Sequence, residues 1–394
     1  MKGKLFCKKL LILTSATGAG HDTHARAAAE WCRRIYGDAV KVQVVHGLEE
    51  SHPLARMGVD LYNQIQRCAP WAHHVYYHIL ELPGWLNLPA LVLGRQYWVD
   101  LFLEIQPDAI LSTHDFLNRG YFELAWSVLG NGVRCATYGT EFEGGYGFSR
   151  NWVNRKAQYY FGRTQESVEA AMRLGMKTER ALVAGHWAPP PFYNTAMNEG
   201  ERRDYLRREF SLAGDVFTLL LSTGGAGAQN HRDFLRSLQG LGDRIQVIAL
   251  AGRDESGRRR LEEWSERKLD FPVRVLGFRQ DMNLLLQSVS ATLARAGATT
   301  AGEALLVGCP LIFNAVGGMM PQEVPTWNYF RKRGLGSVVY RATDLRDVVE
   351  GWLDVPESLE LRRGNISRCR DVTSPERALR LLLEGNELGW QASG

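Results

Sequence analysis

One pattern occurs twice in this chain and limits its fold more than any other. A short apolar run ends in small residues and glycines, and a helical stretch follows. The first instance is Leu10–Thr14, which leads into Ser15-Ala16-Thr17-Gly18-Ala19-Gly20-His21. The second is Val216–Ser222, which leads into Thr223-Gly224-Gly225-Ala226-Gly227. A continuous apolar run of this kind fits a strand covered on both faces, as in a parallel sheet. The glycines let the backbone turn sharply and approach a ligand, and the helix start favours negative charge. The two beginnings lie about two hundred residues apart, the spacing of two ordinary domains.

Further short apolar runs follow each beginning. After the first come Val42–Val45, Ala109–Ser112, Arg134–Thr137, Tyr159–Gly162 and Ala181–Ala184. After the second come Gln246–Ala251, Val273–Leu276, Ala291–Ala294 and Pro310–Phe313. Helical stretches separate them, including Ala25–Tyr36 and Glu199–Glu209. Strands alternating with helices predict an α/β protein with helices on both faces of a parallel sheet, built twice. Three consecutive prolines near Pro189–Tyr193 cannot sit inside a helix or a central strand and mark the linker. The expected division is 1–192, 193–372 and a last helix in 373–394 that packs back on the first domain.

Composition removes several alternatives. A net charge of +4 over 394 residues is too weak to argue for nucleic acid. It does suit an anionic substrate or an anionic membrane surface. The six cysteines, Cys7, Cys32, Cys68, Cys135, Cys309 and Cys369, are scattered, with no zinc-ligand spacing, so no metal is expected. The apolar run after Met1 is too short for a signal peptide, and Trp85–Leu93 is too short to cross a bilayer. The expected compartment is the cytoplasm.

Four constellations carry chemistry. In the first loop a dinucleotide fingerprint would need a third glycine where Thr23 stands, and there is no Walker lysine. What remains is a Gly-x-Gly-His tip at Gly18–His21. His21 reads either as a general base towards an acceptor hydroxyl or as a plain loop or capping histidine. The second loop, with Gly224 and Gly225, reads as a phosphate contact or as a tight turn. The third is Arg295-Ala296-Gly297-Ala298-Thr299-Thr300-Ala301-Gly302-Glu303-Ala304-Leu305. Its turn offers N–H groups and hydroxyls to a diphosphate, and Glu303 can accept both hydroxyls of a ribose. The competing reading is a capping box of Thr300 with Glu303. The fourth is Asn314–Pro325, where Gln322 and Glu323 can bind sugar hydroxyls.

These residues resemble the GT-B glycosyltransferase superfamily. Within it they are most similar to glycosyltransferase family 28, the group of monogalactosyl- and processive glucosyl-diacylglycerol synthases and MurG-type transferases. The resemblance covers most of the chain. It is carried by Gly18–His21, Gln106-Pro107-Asp108 through Ser112-Thr113-His114, Gly185–Phe192, Ser222–Gly227, and Gly297–Pro310 with Gln322-Glu323. It implies two Rossmann-like doubly wound domains with a nucleotide-sugar site in the cleft between them. It implies His21 as base or acceptor contact, and Gly224, Gly225, Thr299 and Thr300 at the donor diphosphate. Phe278 and Arg279 would lie at the uracil, Glu303 at the ribose, and Gln322 and Glu323 at the donor sugar. Gly18, Gly20 and His114 fall on the acceptor side. The chain departs from its relatives at Tyr138-Gly139-Thr140-Glu141 and at His186-Trp187, which leaves Glu141 as an alternative acid or base.

The segment 70–99 is rich in Trp71, Tyr76, Tyr77, Trp85, Tyr97 and Trp98, with His73, His74 and Arg95 among them. Such residues suit a bilayer interface, or else a helical layer over the sheet. The expected activity is hexosyl transfer from a UDP-sugar to a hydroxyl acceptor, a membrane lipid such as diacylglycerol or a lipid-linked intermediate. The UDP-sugar is a co-substrate, no cofactor is expected, and no Asp-x-Asp motif calls for a metal. Two other readings remain: a UDP-sugar 2-epimerase on the same architecture, and a non-catalytic nucleotide-sugar sensor.

Overall fold

The computed structural model describes residues 7–18, 20–68, 70–85, 92–194, 196–222 and 230–385. The chain forms two compact units, one of Met1–Pro190 with Val372–Gly394, the other of Pro191–Asp371.

The first unit is built on six strands: β1 Lys8–Thr14, β2 Val40–His46, β3 Ala109–Ser112, β4 Arg134–Gly139, β5 Tyr159–Gly162 and β6 Ala181–Val183. They form one parallel sheet in the order β2-β1-β3-β4-β5-β6. Leu10 pairs with Val42 on one side and Ala109 on the other, so β1 is central. That position explains the unbroken apolar run, since Leu10 to Leu13 are all fully buried. Leu11, Leu13 and Ile110 pack with Trp98, Phe102 and Phe122 in one core cluster of this unit.

The helix after β1, α1, spans Gly20–Tyr36 and starts five residues earlier than the apolar pattern of Ala25–Tyr36 indicates. The turn is completed sooner because Gly18 takes φ +67°. His21 therefore stands in the first helical turn rather than on a loop tip. Four more α-helices follow β2 before β3 among the described residues: α2 Gly47–Ser51, α3 Pro53–Cys68, α4 His73–Trp85 and α5 Arg95–Ile105. The C-terminal helix Glu376–Glu384 lies on this unit. Lys8 Nζ and Arg134 donate to the carbonyls of Leu383 and Leu382 at 2.6 and 2.8 Å. Cations at a helix C-terminus satisfy orphan carbonyls and oppose the negative end of the dipole.

The second unit has β7 Phe217–Ser222, β8 Ile245–Leu250, β9 Val273–Leu276, β10 Ala291–Ala294, β11 Leu311–Asn314 and β12 Gly336–Val339. All are parallel, in the order β12-β11-β10-β7-β8-β9. Strand β12 is absent from the sequence reading. Its first residue is a glycine, which weakens a strand pattern, yet a Cβ at Gly336 would stand 2.8 Å from the carbonyl oxygen of Leu311.

In each sheet the order reverses beside the first strand, between β1 and β3 and between β7 and β10. Ligands of open α/β sheets bind outside the carboxyl ends of strands at such a reversal. The chain leaves β1 at Thr14, β7 at Ser222 and β10 at Ala294, all at these positions.

Candidate active site

In the first unit the chain leaves β1 at Thr14 and reaches α1 through Ser15–Ala19. Side chains from α2 and α3 hold this turn. Glu49 accepts from Ser15 Oγ at 2.9 Å and from the Ala16 amide at 2.5 Å. Asn63 accepts from the Gly18 amide at 2.9 Å and donates to Ala16 O at 3.0 Å. Two amides that a phosphate would use are thus already occupied. Gly18 shapes the turn and Gly20 opens the helix; the loop presents His21 instead of cradling an anion.

His21 lies 2.8 Å through Nδ1 from the carbonyl oxygen of Thr113. A carbonyl only accepts, so Nδ1 carries the proton and Nε2 carries the lone pair. Burial lowers the pKa below the usual 6.5, and the bond to Thr113 opposes this in part. The ring is therefore neutral at pH 7, with its basic nitrogen at Nε2. It packs against His114, centroid to centroid 4.4 Å, and against Trp152 at 5.8 Å.

His114 follows β3, on the other side of the strand-order reversal. Its Nδ1 accepts from the Phe116 amide at 3.1 Å. Burial holds its pKa well below the usual value, so the proton of the neutral ring sits on Nε2. That nitrogen lies 2.8 Å from Thr17 Oγ1. The two histidines, in contact at an interplanar angle of 49°, are thus opposite tautomers.

Carboxyl groups cluster nearby. Glu141, just past β4, is 6% exposed, and burial pushes its pKa up to about 7. Asp115 is raised to about 8 by burial and by the charges of Glu141 and Glu81. Glu81 of α4 accepts from Ser149 Oγ at 2.5 Å and from the Arg150 amide at 3.0 Å. The sequence reading named Glu141 and missed Asp115 and Glu81, whose neighbours lie far along the chain. The departures at Tyr138 and His186-Trp187 prove to be one packing exchange. Tyr138 stacks on Trp187 at 4.1 Å, and its hydroxyl donates to Gly185 O and accepts from the Trp187 amide.

In the second unit Gly224 and Gly225 lie outside the described residues. After β10, Gly297 is the N-cap of the helix Ala298–Val307 and has no side chain to cap it. Thr299 and Thr300 occupy its second and third positions, so Thr300 is inside the helix. A capping box of Thr300 with Glu303 is therefore ruled out. Ala301, Ala304 and Leu305 face the core, while Thr299, Thr300 and Glu303 are half-buried.

Glu323 requires a correction. It is 1% exposed and forms a two-pronged pair with Arg295, Nε to Oε1 at 2.9 Å and Nη2 to Oε2 at 2.5 Å. Its second oxygen also accepts from the Met320 amide at 2.8 Å. Arg295 further donates to Val316 O and Gly318 O. Glu323 is thus a buried strut that ties the loop after β11 to the loop after β10, rather than a sugar-hydroxyl acceptor. Gln322, half-buried beside it, donates through Nε2 to Met320 Sδ at 3.6 Å. The Arg279 guanidinium is likewise engaged, with Asp281 at 2.8 and 2.5 Å. Phe278 stays exposed, with Arg253 stacked 4.5 Å from its ring.

Residues 219–315 match the model of the glycosyltransferase family 28 C-terminal domain. A probable monogalactosyldiacylglycerol synthase 3, chloroplastic, of Oryza sativa subsp. japonica is 26% identical over 399 residues, 97% of this chain and 74% of that protein. Among solved structures, MurG of Acinetobacter baumannii aligns with a TM-score of 0.61 at 12% identity, over 96% of this chain and 99% of its own. HepE of Anabaena, solved in complex with UDP-glucose, aligns at 0.56 and 14%, over 96% and 100%. A UDP-GlcNAc 2-epimerase from Neisseria meningitidis, bound to UDP-GlcNAc, aligns at 0.56 and 11%, over 96% and 98%. At such identities the structural likeness is one of fold. Fold and sequence together make this protein a GT-B glycosyltransferase. Within its second unit, residues 219–315 carry the match to the C-terminal domain of glycosyltransferase family 28.

The strut and its neighbour can be separated by mutation. Leaving one partner of a buried pair uncompensated costs about 3–5 kcal/mol. Glu323→Gln should lower the melting temperature by roughly 5 °C or more. Gln322→Ala should leave it nearly unchanged while raising the KM for donor. Thermal melts beside donor titrations would reveal the reverse pattern if the roles were exchanged.

Proposed function

We propose that this glycosyltransferase moves a hexose or N-acetylhexosamine from a UDP-sugar to a hydroxyl group of a lipid or lipid-linked acceptor. The observation that carries this reading is His21: half-buried, neutral, fixed through Nδ1, and set at the strand-order reversal of the first sheet. Glu141 is buried among carboxyls, so His21 is the base. The acceptor O–H proton passes to His21 Nε2. The acceptor oxygen forms a bond to C1 of the sugar, and the C1–O bond to the diphosphate breaks with its electron pair leaving on UDP.

The donor falls to the second unit. The helix starting at Ala298 directs its first amides and the hydroxyls of Thr299 and Thr300 at the diphosphate, and this end stabilises the departing charge. Glu303, on the same helix, accepts the ribose hydroxyls. A helix end and two hydroxyls supply the electrostatic stabilisation, so the reaction runs without a metal.

The test is a screen of labelled UDP-sugars with a total lipid extract in EDTA, followed by chromatography of the product. A glycolipid is expected. Release of UDP with no acceptor present would point to the epimerase reading instead, and UDP binding without turnover to a sensor. The pH profile identifies the base. A histidine base acts only when unprotonated, and burial lowers the pKa of His21. The acid limb of kcat/KM should therefore fall below pH 6.5; a limb centred near 7, where Glu141 titrates, would reassign the role to Glu141.

A lipid acceptor also requires a surface that meets a bilayer, and a stripe of exposed apolar side chains in the first unit supports this reading. Seven of the fourteen large apolar side chains exposed in the described residues lie between Leu54 and Leu82. Leu54, Met57 and Leu61 share one face of α3; Val75, Ile79 and Leu82 share one face of α4; Trp71 lies between. Concentrated apolar exposure of this kind marks an interaction site. Of the aromatics expected here, Trp98 is instead fully buried in the core. No helix of the described residues is long and apolar enough to cross a membrane. Val75→Asp with Ile79→Asp should abolish co-sedimentation with vesicles of phosphatidylglycerol and phosphatidylcholine while the circular dichroism stays native. Unchanged sedimentation would refute the surface.

A further inference from the structure

Beside His21 stands a group that the reaction as written does not use. Thr17 Oγ1 is half-buried in the turn before α1, and its hydrogen-bond partner is His114 Nε2 at 2.8 Å. The direction of that bond follows from the other side of the ring. The Phe116 amide is a donor and reaches His114 Nδ1 at 3.1 Å; Asp115 Oδ1, 3.3 Å from the same nitrogen, belongs to a carboxyl whose pKa is raised to about 8, so at pH 7 it calls for no proton and Nδ1 accepts. A neutral imidazole with Nδ1 accepting has its proton on Nε2. His114 is 3% exposed, and a cation there would find no water to solvate it. Thr17 Oγ1 therefore accepts from His114, and its own proton must point elsewhere. Among the described residues no side-chain or backbone acceptor takes it.

We propose that His114 is a positioning residue that turns the Thr17 hydroxyl into a fixed donor, and that Thr17 and His21 together select a neutral hydroxyl as the acceptor group. The proposal rests on the reading of His21 as the base. His21 Nε2 offers a lone pair, and Thr17 Oγ1 offers a proton; the His114 ring links the two, touching Thr17 through Nε2 and the His21 ring at 4.4 Å. An alcohol satisfies both partners. Its proton goes to His21, one lone pair of its oxygen accepts from Thr17, and the second lone pair attacks C1. An amine has a single lone pair, which cannot accept from Thr17 and attack together. A carboxylate or phosphate oxygen has no proton to give, and its lone pairs would meet that of Nε2. The pair thus reads alcohols as a chemical class and orients the attacking lone pair.

The same arrangement assigns work to the turn. Its amides are held by Glu49 and Asn63, and these bonds fix where Thr17 stands relative to α1. Truncation of His114 would free the Thr17 hydroxyl to rotate, so the loss would appear in turnover and not in donor affinity.

The experiment is a double-mutant cycle on the transfer reaction with the acceptor that the lipid-extract screen identifies. The variants are Thr17→Val, His114→Ala and the double substitution, with His114→Gln and Thr17→Ser as conservative partners. Thr17→Val and His114→Ala should each lower kcat at least tenfold and leave UDP affinity and the melting curve near wild type. The double variant should be no slower than the worse single one, because His114 acts through Thr17. His114→Gln, whose side-chain amide places an N–H near the position of Nε2, should recover most of the activity, as should Thr17→Ser. Multiplicative losses in the double variant would overturn the proposal. So would wild-type kcat in Thr17→Val, a nearly isosteric change that tests it even if His114→Ala does not fold. The reading of His21 fails differently: undiminished transfer by His21→Ala would remove the base and leave the cycle to be read on its own.

Discussion

A parallel sheet whose strand order reverses leaves a gap at the carboxyl ends of two neighbouring strands, because the connections on either side run to opposite faces. This chain builds that gap twice. In the first unit β1 is bonded to β2 and β3, and in the second β7 is bonded to β8 and β10. The groups read here as base, acceptor contact, diphosphate contact and ribose contact hang from these ends. Thr17 and His21 follow β1, Thr113 and His114 follow β3, and Gly297, Thr299 and Glu303 follow β10. Full burial of Leu10–Leu13 and of Leu219–Leu221 keeps the central strands rigid, so the loops are presented from a scaffold that does not yield.

The two gaps are then equipped differently. In the first, side chains consume the loop amides, and the site is filled with titratable groups whose charges burial suppresses. His21, His114 and His24 are all driven towards their neutral forms, while Asp115 and Glu141 are held protonated to unusually high pH. Neutral groups in opposite protonation states give directional donors and acceptors, which suits proton transfer to and from an alcohol. In the second gap a half-buried helix N-terminus has no side-chain bond from its N-cap, Gly297, and the Arg295–Glu323 strut fixes the adjoining loop. That arrangement suits binding of a diphosphate and stabilisation of its charge. The difference between the two ends matches a division between an acceptor half and a donor half.

The strands were legible because burial on both faces writes a continuous apolar run, and Ala109–Ser112, Tyr159–Gly162, Val273–Leu276 and Ala291–Ala294 fall where those runs stand. Strand β12 was not, since a close approach to Leu311 demands glycine where the pattern demands an apolar residue. Glu323 read as a ligand contact because a polar residue in a glycine-rich loop looks exposed, and only the fold brings Arg295 to it. His21 and His114 each stood out alone, yet nothing local joins them: their pairing is produced by β1 and β3 lying side by side. The exposed stripe of Leu54, Met57, Leu61, Val75, Ile79 and Leu82 was overlooked for the opposite reason. Aliphatic residues at helical spacing look like core, whereas the conspicuous Trp98 is the residue that is buried.

The central claim is that one gap handles the donor and the other the acceptor. It is tested most directly by calorimetric titration of UDP into wild-type, Glu303→Ala and His21→Ala proteins, with sugar transfer measured on the same preparations. The account requires Glu303→Ala to lose UDP binding and His21→Ala to keep it while losing transfer. Undiminished UDP affinity in Glu303→Ala, or lost affinity in a folded His21→Ala protein, would contradict it.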